Sequence, residues 1–225
     1  MPKDFAAYID HTILKQTTTI AEVDKVCVEA SMENFAAVCI PPRYVQAAKK
    51  LLDGSKVKVA TVVGFPLGYN LTDVKLREIH DALLMGADEI DIVHDLCALK
   101  NGDWKLLEEE IQICLSEIEQ AGKTLKVIIE TGILTDNEII KCCEIYGNYP
   151  IDFIKTSTGF ADTGASVHAV SLIRQHIPKH MGIKASGGIK TYAFAKELIA
   201  AGATRLGCSA SMQIIKDFKE EQNLL

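Results

Sequence analysis

Short apolar segments alternate along this chain with longer segments of helical periodicity. The apolar segments are rich in β-branched residues and lie at 35–40, 57–63, 88–93, 125–130, 151–155, 181–185 and 204–207, with a weaker candidate at 7–10. Strands of a parallel sheet that is covered on both faces are continuously apolar, as these segments are. The pattern therefore predicts eight strand–helix units in succession.

The segments between the predicted strands carry signals for the start and the end of helices. Thr19 and Thr135 each precede a glutamate by three positions, which is the spacing of a capping box. Gly86 and Gly202 lie directly before predicted strands, where glycine allows the left-handed turn that ends a helix. These signals indicate short connections between each helix and the strand that follows it.

Eight such units in 225 residues favour a closed (β/α)₈ barrel. An open, doubly wound sheet remains the alternative, because periodicity does not report whether a sheet closes. No linker, low-complexity segment or break in composition divides the chain. We therefore expect a single α/β domain that covers residues 1–225.

The charge of the chain restricts its partners. Lysine and arginine number 24 against 30 aspartates and glutamates, which gives a formal net charge of −6. No cluster of five or more basic residues occurs, so neither a nucleic acid nor a membrane is an expected partner. An anionic substrate would need a local cationic site, since the overall field opposes it.

Cysteine usage and missing motifs indicate the compartment and the cofactors. The seven cysteines form no C-x-x-C pair, and most lie in apolar runs, which favours a reducing compartment. There is no apolar leader at the start and no run of 18 apolar residues, so we expect a cytoplasmic protein. No metal-ligand spacing and no nucleotide-binding glycine motif is present, so neither a metal nor a cofactor is expected.

Two lysines at the ends of predicted strands are the strongest candidates for chemistry. Lys155 and Lys184 close adjacent strands, and active sites of such barrels lie at the carboxyl ends of the strands. Two ammonium groups crowded in a poorly hydrated barrel mouth disfavour double protonation, so at least one amine should titrate well below the usual value of about 10.4. A neutral lysine is the nucleophile that imine chemistry requires. The alternative is an ordinary buried ion pair with Asp91, Asp152 or Glu130.

The segment DEIDIV supplies a candidate for proton transfer. Strand alternation places Glu89 and Asp91 on one face and Asp88 on the other. An inward Asp91 could hold the ammonium of Lys184 and move protons through a water molecule, or it could be a structural counter-ion. His94, at the end of the same strand, is interpreted as a hydrogen-bonded histidine and not as a catalytic one.

Two loops rich in small residues are candidates for phosphate binding. ASGGI, with Gly187 and Gly188, follows the seventh predicted strand, and LGCSAS, with Ser209, follows the eighth. Barrels frequently bind phosphate at these two loops through backbone N–H groups and the start of a short helix. The alternative is that the glycines serve only tight turns.

With these residues in place, the chain resembles the deoxyribose-phosphate aldolase family nearly from end to end. The resemblance rests on FIKTSTGF and GIKASGGI, together with YIDHTILK, AVCIPPRYV, TVVGFPLG, GADEIDIV, VIIETGIL and RLGCSAS in the family's order. It implies a TIM barrel that reversibly cleaves 2-deoxy-D-ribose 5-phosphate to D-glyceraldehyde 3-phosphate and acetaldehyde through a Schiff base, without a metal. A small sugar phosphate is then the partner; the sequence leaves the assembly open, with a homodimer as the working expectation.

The resemblance also implies roles for individual residues. The imine-forming lysine falls on Lys155, the second lysine on Lys184 and the proton-transfer aspartate on Asp91. The remaining implied roles are a phosphate cradle at Gly187, Gly188 and Ser209, contacts near the substrate hydroxyls at Asp10 and Thr12, and a pocket cysteine at Cys39.

The chain departs from the family pattern at Pro41, His94 and Ala210, and it ends in leucine where members often carry a tyrosine. Ala210 removes one side-chain donor from the expected phosphate cradle. Two other hypotheses about the function remain open at this point. One is a sugar-phosphate isomerase in which Glu130 and Cys39 supply the base, and the other is a catalytically idle barrel that only binds.

Overall fold

The computed structural model describes residues 4–223, which form a closed barrel of eight parallel strands in sequence order. The strands are β1 Ile9–Thr12, β2 Ala37–Ile40, β3 Lys58–Val63, β4 Glu89–Val93, β5 Thr124–Ile128, β6 Phe153–Lys155, β7 Gly182–Ser186 and β8 Arg205–Cys208. Asp10 of β1 pairs with both Ala37 of β2 and Gly207 of β8, so the sheet has no edge strand. The predicted (β/α)₈ barrel is confirmed, and the open sheet is excluded.

Helices connect the strands and surround the barrel. They are α1 Ile20–Glu33, α2 Val45–Leu51, α3 Thr72–Leu84, α4 Leu96–Lys100, α5 Trp104–Gln120, α6 Asp136–Tyr146, α7 Val167–His176, α8 Tyr192–Ala200 and α9 Ser211–Asn223. Short 3₁₀ turns lie at Ala6–Tyr8, Pro42–Tyr44 and Thr131–Ile133. In the part of the chain that the structure describes, no helix has both the length and the apolar character needed to cross a membrane.

The predicted helix signals are present as local structure. Both capping boxes form, at Thr19 before α1 and at Thr135 before α6. Such a cap satisfies free backbone N–H groups and contributes about 1 kcal/mol. Gly86 and Gly202 have φ values of +97° and +119°, which residues with a side chain rarely adopt. They turn the chain from the ends of α3 and α8 into β4 and β8.

Two of the differences between predicted and observed strand boundaries have identifiable physical reasons. β1 begins at Ile9, because Ala6–Tyr8 form a 3₁₀ turn. β5 ends at Ile128, because Glu130 has φ 56° and ψ 59°, a left-handed conformation that cannot continue a strand.

The barrel separates apolar and charged residues. A large apolar core fills the layer between strands and helices, with fully buried members such as Ile90, Val127 and Ile183. Inside the barrel, a small apolar cluster of Ala37, Cys39, Ala60 and Val62 occupies the β2–β3 side. Charged side chains such as Asp91, Lys155 and Lys184 lie in the rest of the interior, which holds the candidate site.

Candidate active site

Lys155 is the last residue of β6 and lies at the floor of a cavity at the carboxyl ends of the strands. The cavity measures about 530 Å³, and Lys155 is among its lining residues. The Lys155 ammonium is 2.8 Å from Oδ2 of Asp91, and the residue is only 2% exposed. Apolar neighbours such as Ile154 anchor the strand in the core between barrel and helices, so β6 delivers one amine to the cavity floor.

Lys184 lies beside Lys155, because β6 and β7 pair with these two residues in register. Its ammonium is 2.5 Å from Asp10 and 2.7 Å from Oδ2 of Asp91, and the residue is fully buried. Gly207 of β8 leaves room for it, since a Cβ there would lie 3.0 Å from Cε of Lys184.

Lys184 has two carboxylate partners in addition to its lysine neighbour. Burial by itself lowers the pKa of an amine, but the carboxylates of Asp10 and Asp91 outweigh burial and hold the pKa of Lys184 well above its ordinary value. Lys184 therefore stays protonated and positively charged. The sequence indicated a possible contact with Asp91 but not the contact with Asp10.

Asp91 is the shared acceptor of the site. Its Oδ2 accepts hydrogen bonds from Lys155 and Lys184, and its Oδ1 accepts one from Lys126 at 2.7 Å. Burial would raise the pKa of this carboxyl, but the three ammonium groups outweigh it and hold the pKa well below its ordinary value. Asp91 is thus an anion in direct contact with the amine of Lys155.

Sequence reasoning missed two charged residues of the barrel interior. Lys126 of β5 is fully buried and bonds to Glu89 at 2.6 Å as well as to Asp91. Arg205 of β8 is 2.6 Å from Asp10 and 3.1 Å from Glu89. The signal for Lys126 was available, because it interrupts the apolar run LKVII as Lys155 interrupts its own run.

Asp10 and Cys39 have contacts in the barrel interior that the sequence did not predict. Asp10 is fully buried, and its two oxygens face Lys184 and Arg205, which hold its pKa below the ordinary value although burial opposes this. Cys39 is also fully buried, with Sγ 3.9 Å from Oδ2 of Asp91, and burial raises the pKa of its thiol. Neither is among the described residues that line the cavity. Their expected contacts with the substrate stay predictions.

The other expected contact residues do line the cavity. Thr12 lines it while its hydroxyl donates to the carbonyl of Asp10 at 2.9 Å. Gly187 and Gly188 have φ values of +86° and +76°, and both line the cavity together with Ser209. A Cβ on Gly187 would lie 3.0 Å from Cα of Gly164, so glycine is needed for the loops after β6 and β7 to touch.

Basic side chains give the cavity a local charge that the whole chain lacks. Lys15, Lys25 and Lys190 line it. Glu22 and Glu29 of α1 also line it, so the basic residues outnumber the acidic ones there. An anionic group such as phosphate can therefore be attracted locally although the net charge is −6. Within residues 4–223, no group of three or more histidine, cysteine or acidic side chains is arranged to hold a metal ion.

Comparison with known proteins identifies the family that shares this arrangement. Residues 5–213 match the model of the DeoC/LacD family aldolases. The chain belongs to this aldolase family. The predicted class of enzyme, a lyase that acts as an aldolase, is confirmed.

Individual relatives agree over almost the whole chain. A deoxyribose-phosphate aldolase of Streptococcus gordonii is 48% identical to this aldolase over 210 residues, which are 93% of this chain and 94% of the relative. Among solved structures, an aldolase described as QR15 superimposes with a TM-score of 0.93 at 37% identity and full coverage of both chains. A deoxyribose phosphate aldolase of Aeropyrum pernix, described as a unique tetramer, matches with a TM-score of 0.89 at 30% identity over 95% of this chain and 90% of that one. The resemblance stated from the sequence is confirmed.

The departures from the family pattern leave the lysine pair of this aldolase intact. His94 is buried with Nδ1 2.9 Å from the hydroxyl of Tyr146, and burial lowers its pKa to about 3, so it stays neutral at physiological pH. Pro41 lines a neighbouring cavity of about 460 Å³, and Ala210 packs against the apolar core. The two final leucines of the tail lie outside the described residues.

The isomerase alternative has no support in this aldolase. Glu130 accepts hydrogen bonds from the backbone N–H and the hydroxyl of Thr158, and neither Glu130 nor Cys39 is among the described residues that line the cavity. The two side chains are therefore not placed to act together on one atom of a substrate in this cavity.

Proposed function

We propose that this aldolase reversibly cleaves 2-deoxy-D-ribose 5-phosphate to D-glyceraldehyde 3-phosphate and acetaldehyde through an imine on Lys155. The observation that carries the proposal is the placement of Lys155 at the cavity floor, in contact with Asp91. An amine can react with an aldehyde only where the aldehyde can reach it, and Lys184 and Lys126 are fully buried. The names of the relatives support the choice of substrate.

The first step forms a bond between Nζ of Lys155 and C1 of the open-chain aldehyde. The neutral amine attacks C1, and proton transfer followed by loss of water gives a protonated imine. Asp91 lies 2.8 Å from Nζ and can take and return the proton at that atom. Lys184 bonds to the same Oδ2, so its positive charge stabilises the carboxylate between transfers.

The second step breaks the C2–C3 bond. The C3 hydroxyl loses its proton, the C2–C3 electron pair moves toward the protonated imine, and glyceraldehyde 3-phosphate leaves with C3 as its carbonyl carbon. The remaining two-carbon enamine takes up a proton at C2, and hydrolysis of the resulting imine releases acetaldehyde and restores Lys155. The cationic imine is the electron sink throughout.

The phosphate supplies binding energy at a distance from the reacting carbon. In the proposal, the loops with Gly187, Gly188 and Ser209 hold it, and Lys15 and Lys190 add charge to the same cavity. Binding of a remote group can orient C1 against the amine, which lowers the barrier by positioning.

Removal of one phosphate donor should weaken binding of the phosphorylated substrate alone. For Ser209→Ala, we expect KM for 2-deoxyribose 5-phosphate to rise by roughly tenfold, the effect of losing one hydrogen bond to a charged group. The rate with unphosphorylated 2-deoxyribose should stay unchanged. Steady-state kinetics with both sugars measures this, with Ser116→Ala on α5 as the control. An equal loss with both sugars would contradict the phosphate assignment.

The reaction itself has a direct assay. Incubation with 2-deoxyribose 5-phosphate should release acetaldehyde and glyceraldehyde 3-phosphate in equal amounts. Conversion to an isomer without release of acetaldehyde would refute the proposed function. The homodimer and the cytoplasmic location stay predictions, and light scattering of the purified protein measures the assembly.

A further inference from the structure

Six charged side chains inside the barrel close into a ring of alternating sign, which we call the charge ring. Its contacts are Arg205–Asp10 at 2.6 Å, Asp10–Lys184 at 2.5 Å, Lys184–Asp91 at 2.7 Å, Asp91–Lys126 at 2.7 Å, Lys126–Glu89 at 2.6 Å and Glu89–Arg205 at 3.1 Å. Each member contacts one neighbour of opposite charge on either side. Five of the six side chains are no more than 5% exposed, and Arg205 is 15% exposed.

The charge ring is balanced without Lys155. It contains three cations and three anions, so its formal charge is zero when all six groups are ionised. Lys155 is attached to it only through Asp91, whose Oδ2 already accepts a hydrogen bond from Lys184. The whole cluster therefore carries one surplus positive charge when Lys155 is protonated and none when Lys155 is neutral.

Burying a net charge is costly, whereas a balanced cluster of buried charges is held by its own contacts. Loss of one proton from any lysine of the cluster would bring its net charge to zero, but only loss from Lys155 leaves all six groups of the charge ring ionised and paired. Lys155 is also a residue that lines the cavity. Loss of a proton from any ring lysine would instead leave a carboxylate with fewer partners.

We propose that the charge ring makes Lys155 the amine that releases its proton, and that Glu89, Lys126 and Arg205 are positioning residues for this purpose. The proposal rests on the proposed function of Lys155 as the imine-forming lysine. These three residues do not line the cavity. In the proposal, each one affects the release of the Lys155 proton through the sign of its own charge.

Other titratable groups also face Lys155 and have to be held constant. Cys39 lies on the β2 side, and burial keeps its thiol neutral. Glu130, after β5, feels the charge of Lys155, and burial raises its pKa while Thr158 holds the carboxyl in place. Neither contacts Glu89, Lys126 or Arg205 through an ion pair among residues 4–223, so substitutions in those three leave both unchanged.

The test measures the rate at which Lys155 is trapped by acetaldehyde and cyanoborohydride over a range of pH, by mass spectrometry of the protein and its peptides. The midpoint is the pH at which this rate is half of its maximum. Lys126→Met gives the ring a charge of −1 and should move the midpoint to higher pH. Glu89→Gln gives the ring a charge of +1 and should move the midpoint to lower pH. Each shift should be about one pH unit or more, since unit charges a few ångströms apart interact strongly at an effective dielectric constant of about 20.

The double variant separates charge from structural damage. Lys126→Met with Glu89→Gln loses an ion pair but keeps the ring neutral, so its midpoint should return to within a few tenths of a unit of wild type. If these residues had only a structural role, the midpoint of the double variant would lie further from that of wild type than the midpoint of either single variant. If Lys126→Met fails to fold, Arg205→Gln removes a positive charge at the more exposed corner and should shift the midpoint in the same direction.

A second buried pair provides the matched control. Lys75 and Glu110 contact at 2.8 Å between α3 and α5, with side chains 0% and 4% exposed. Glu110→Gln should lower stability and leave the midpoint unchanged. Shifts of the same sign in Lys126→Met and Glu89→Gln, or no shift in either, would overturn the proposal while wild-type trapping on Lys155 still supports the proposed function. No trapping on wild-type Lys155 would instead refute the function.

Discussion

Replacement of Lys155 by leucine is expected to abolish cleavage of 2-deoxyribose 5-phosphate while the protein remains folded. Loss of the imine removes the electron sink, and loss of a covalent nucleophile in other enzymes costs on the order of 10⁴- to 10⁶-fold in kcat. The fold should tolerate the change, because Asp91 is the one carboxylate that Lys155 contacts among residues 4–223, and the six-membered charge ring stays balanced without Lys155. Lys155→Arg keeps the positive charge but cannot form the imine, so it should be equally inactive.

Product assays together with thermal unfolding check this expectation. Full loss of activity with an unfolding midpoint close to that of wild type is the predicted pair of results. Residual turnover within about tenfold of wild type in either variant would show that another amine carries the chemistry.

Replacement of Asp91 by asparagine is expected to damage both stability and activity. The change leaves Lys126, Lys155 and Lys184 without their shared carboxylate, and an uncompensated buried charge typically costs about 3–5 kcal/mol. The proton acceptor at the reacting nitrogen is lost at the same time, so turnover should fall by roughly 10² to 10⁴-fold.

The pH dependence of this loss follows from the direction of the pKa shifts. The folded protein depresses the pKa of Asp91, so the carboxylate contributes stability above its unfolded pKa of about 3.9 and loses that contribution as the pH falls through the folded pKa. Its partner Lys184 has a raised pKa, so its contribution is present below about 10.4 and is lost only at higher pH. The difference in unfolding free energy between wild type and Asp91→Asn should therefore stay nearly constant from about pH 5 to about pH 10.

Denaturant unfolding at pH 5, 7 and 9 measures this difference. Asp88→Asn is the matched control, because Asp88 lies just before the same strand but outside the barrel, with partly exposed Lys49 and Lys123 as partners. It should cost less stability and leave turnover unchanged. An Asp91→Asn protein as stable and active as Asp88→Asn would contradict the account of the charge cluster.

The sequence was sufficient to predict the alternating strands and helices and the two lysines, because each of them leaves a local signal, whereas closure of the sheet leaves none. Continuous apolar strands alternating with capped helices specify parallel pairing, and an ammonium at the end of such a strand is unusual enough to stand out. Asp91 could also be placed, since strand alternation fixes which face it occupies.

The charge ring could not be predicted, because its contacts join residues far apart in the chain. Arg205 and Asp10 are separated by 195 positions, and Lys184 and Asp91 by 93. Only closure of the barrel brings β8 beside β1 and sets the depth at which each side chain lies. Closure also places Asp10 beside Lys184 and Cys39 beside Asp91, and the sequence predicted neither contact.

Reduction of the enzyme with borohydride in the presence of 2-deoxyribose 5-phosphate tests the central assignment most directly. Peptide mapping should find a single substrate-derived adduct on Lys155, formed only when substrate and reductant are present together, with parallel loss of activity. An adduct on Lys184 or Lys126, or full activity after reduction, would contradict it.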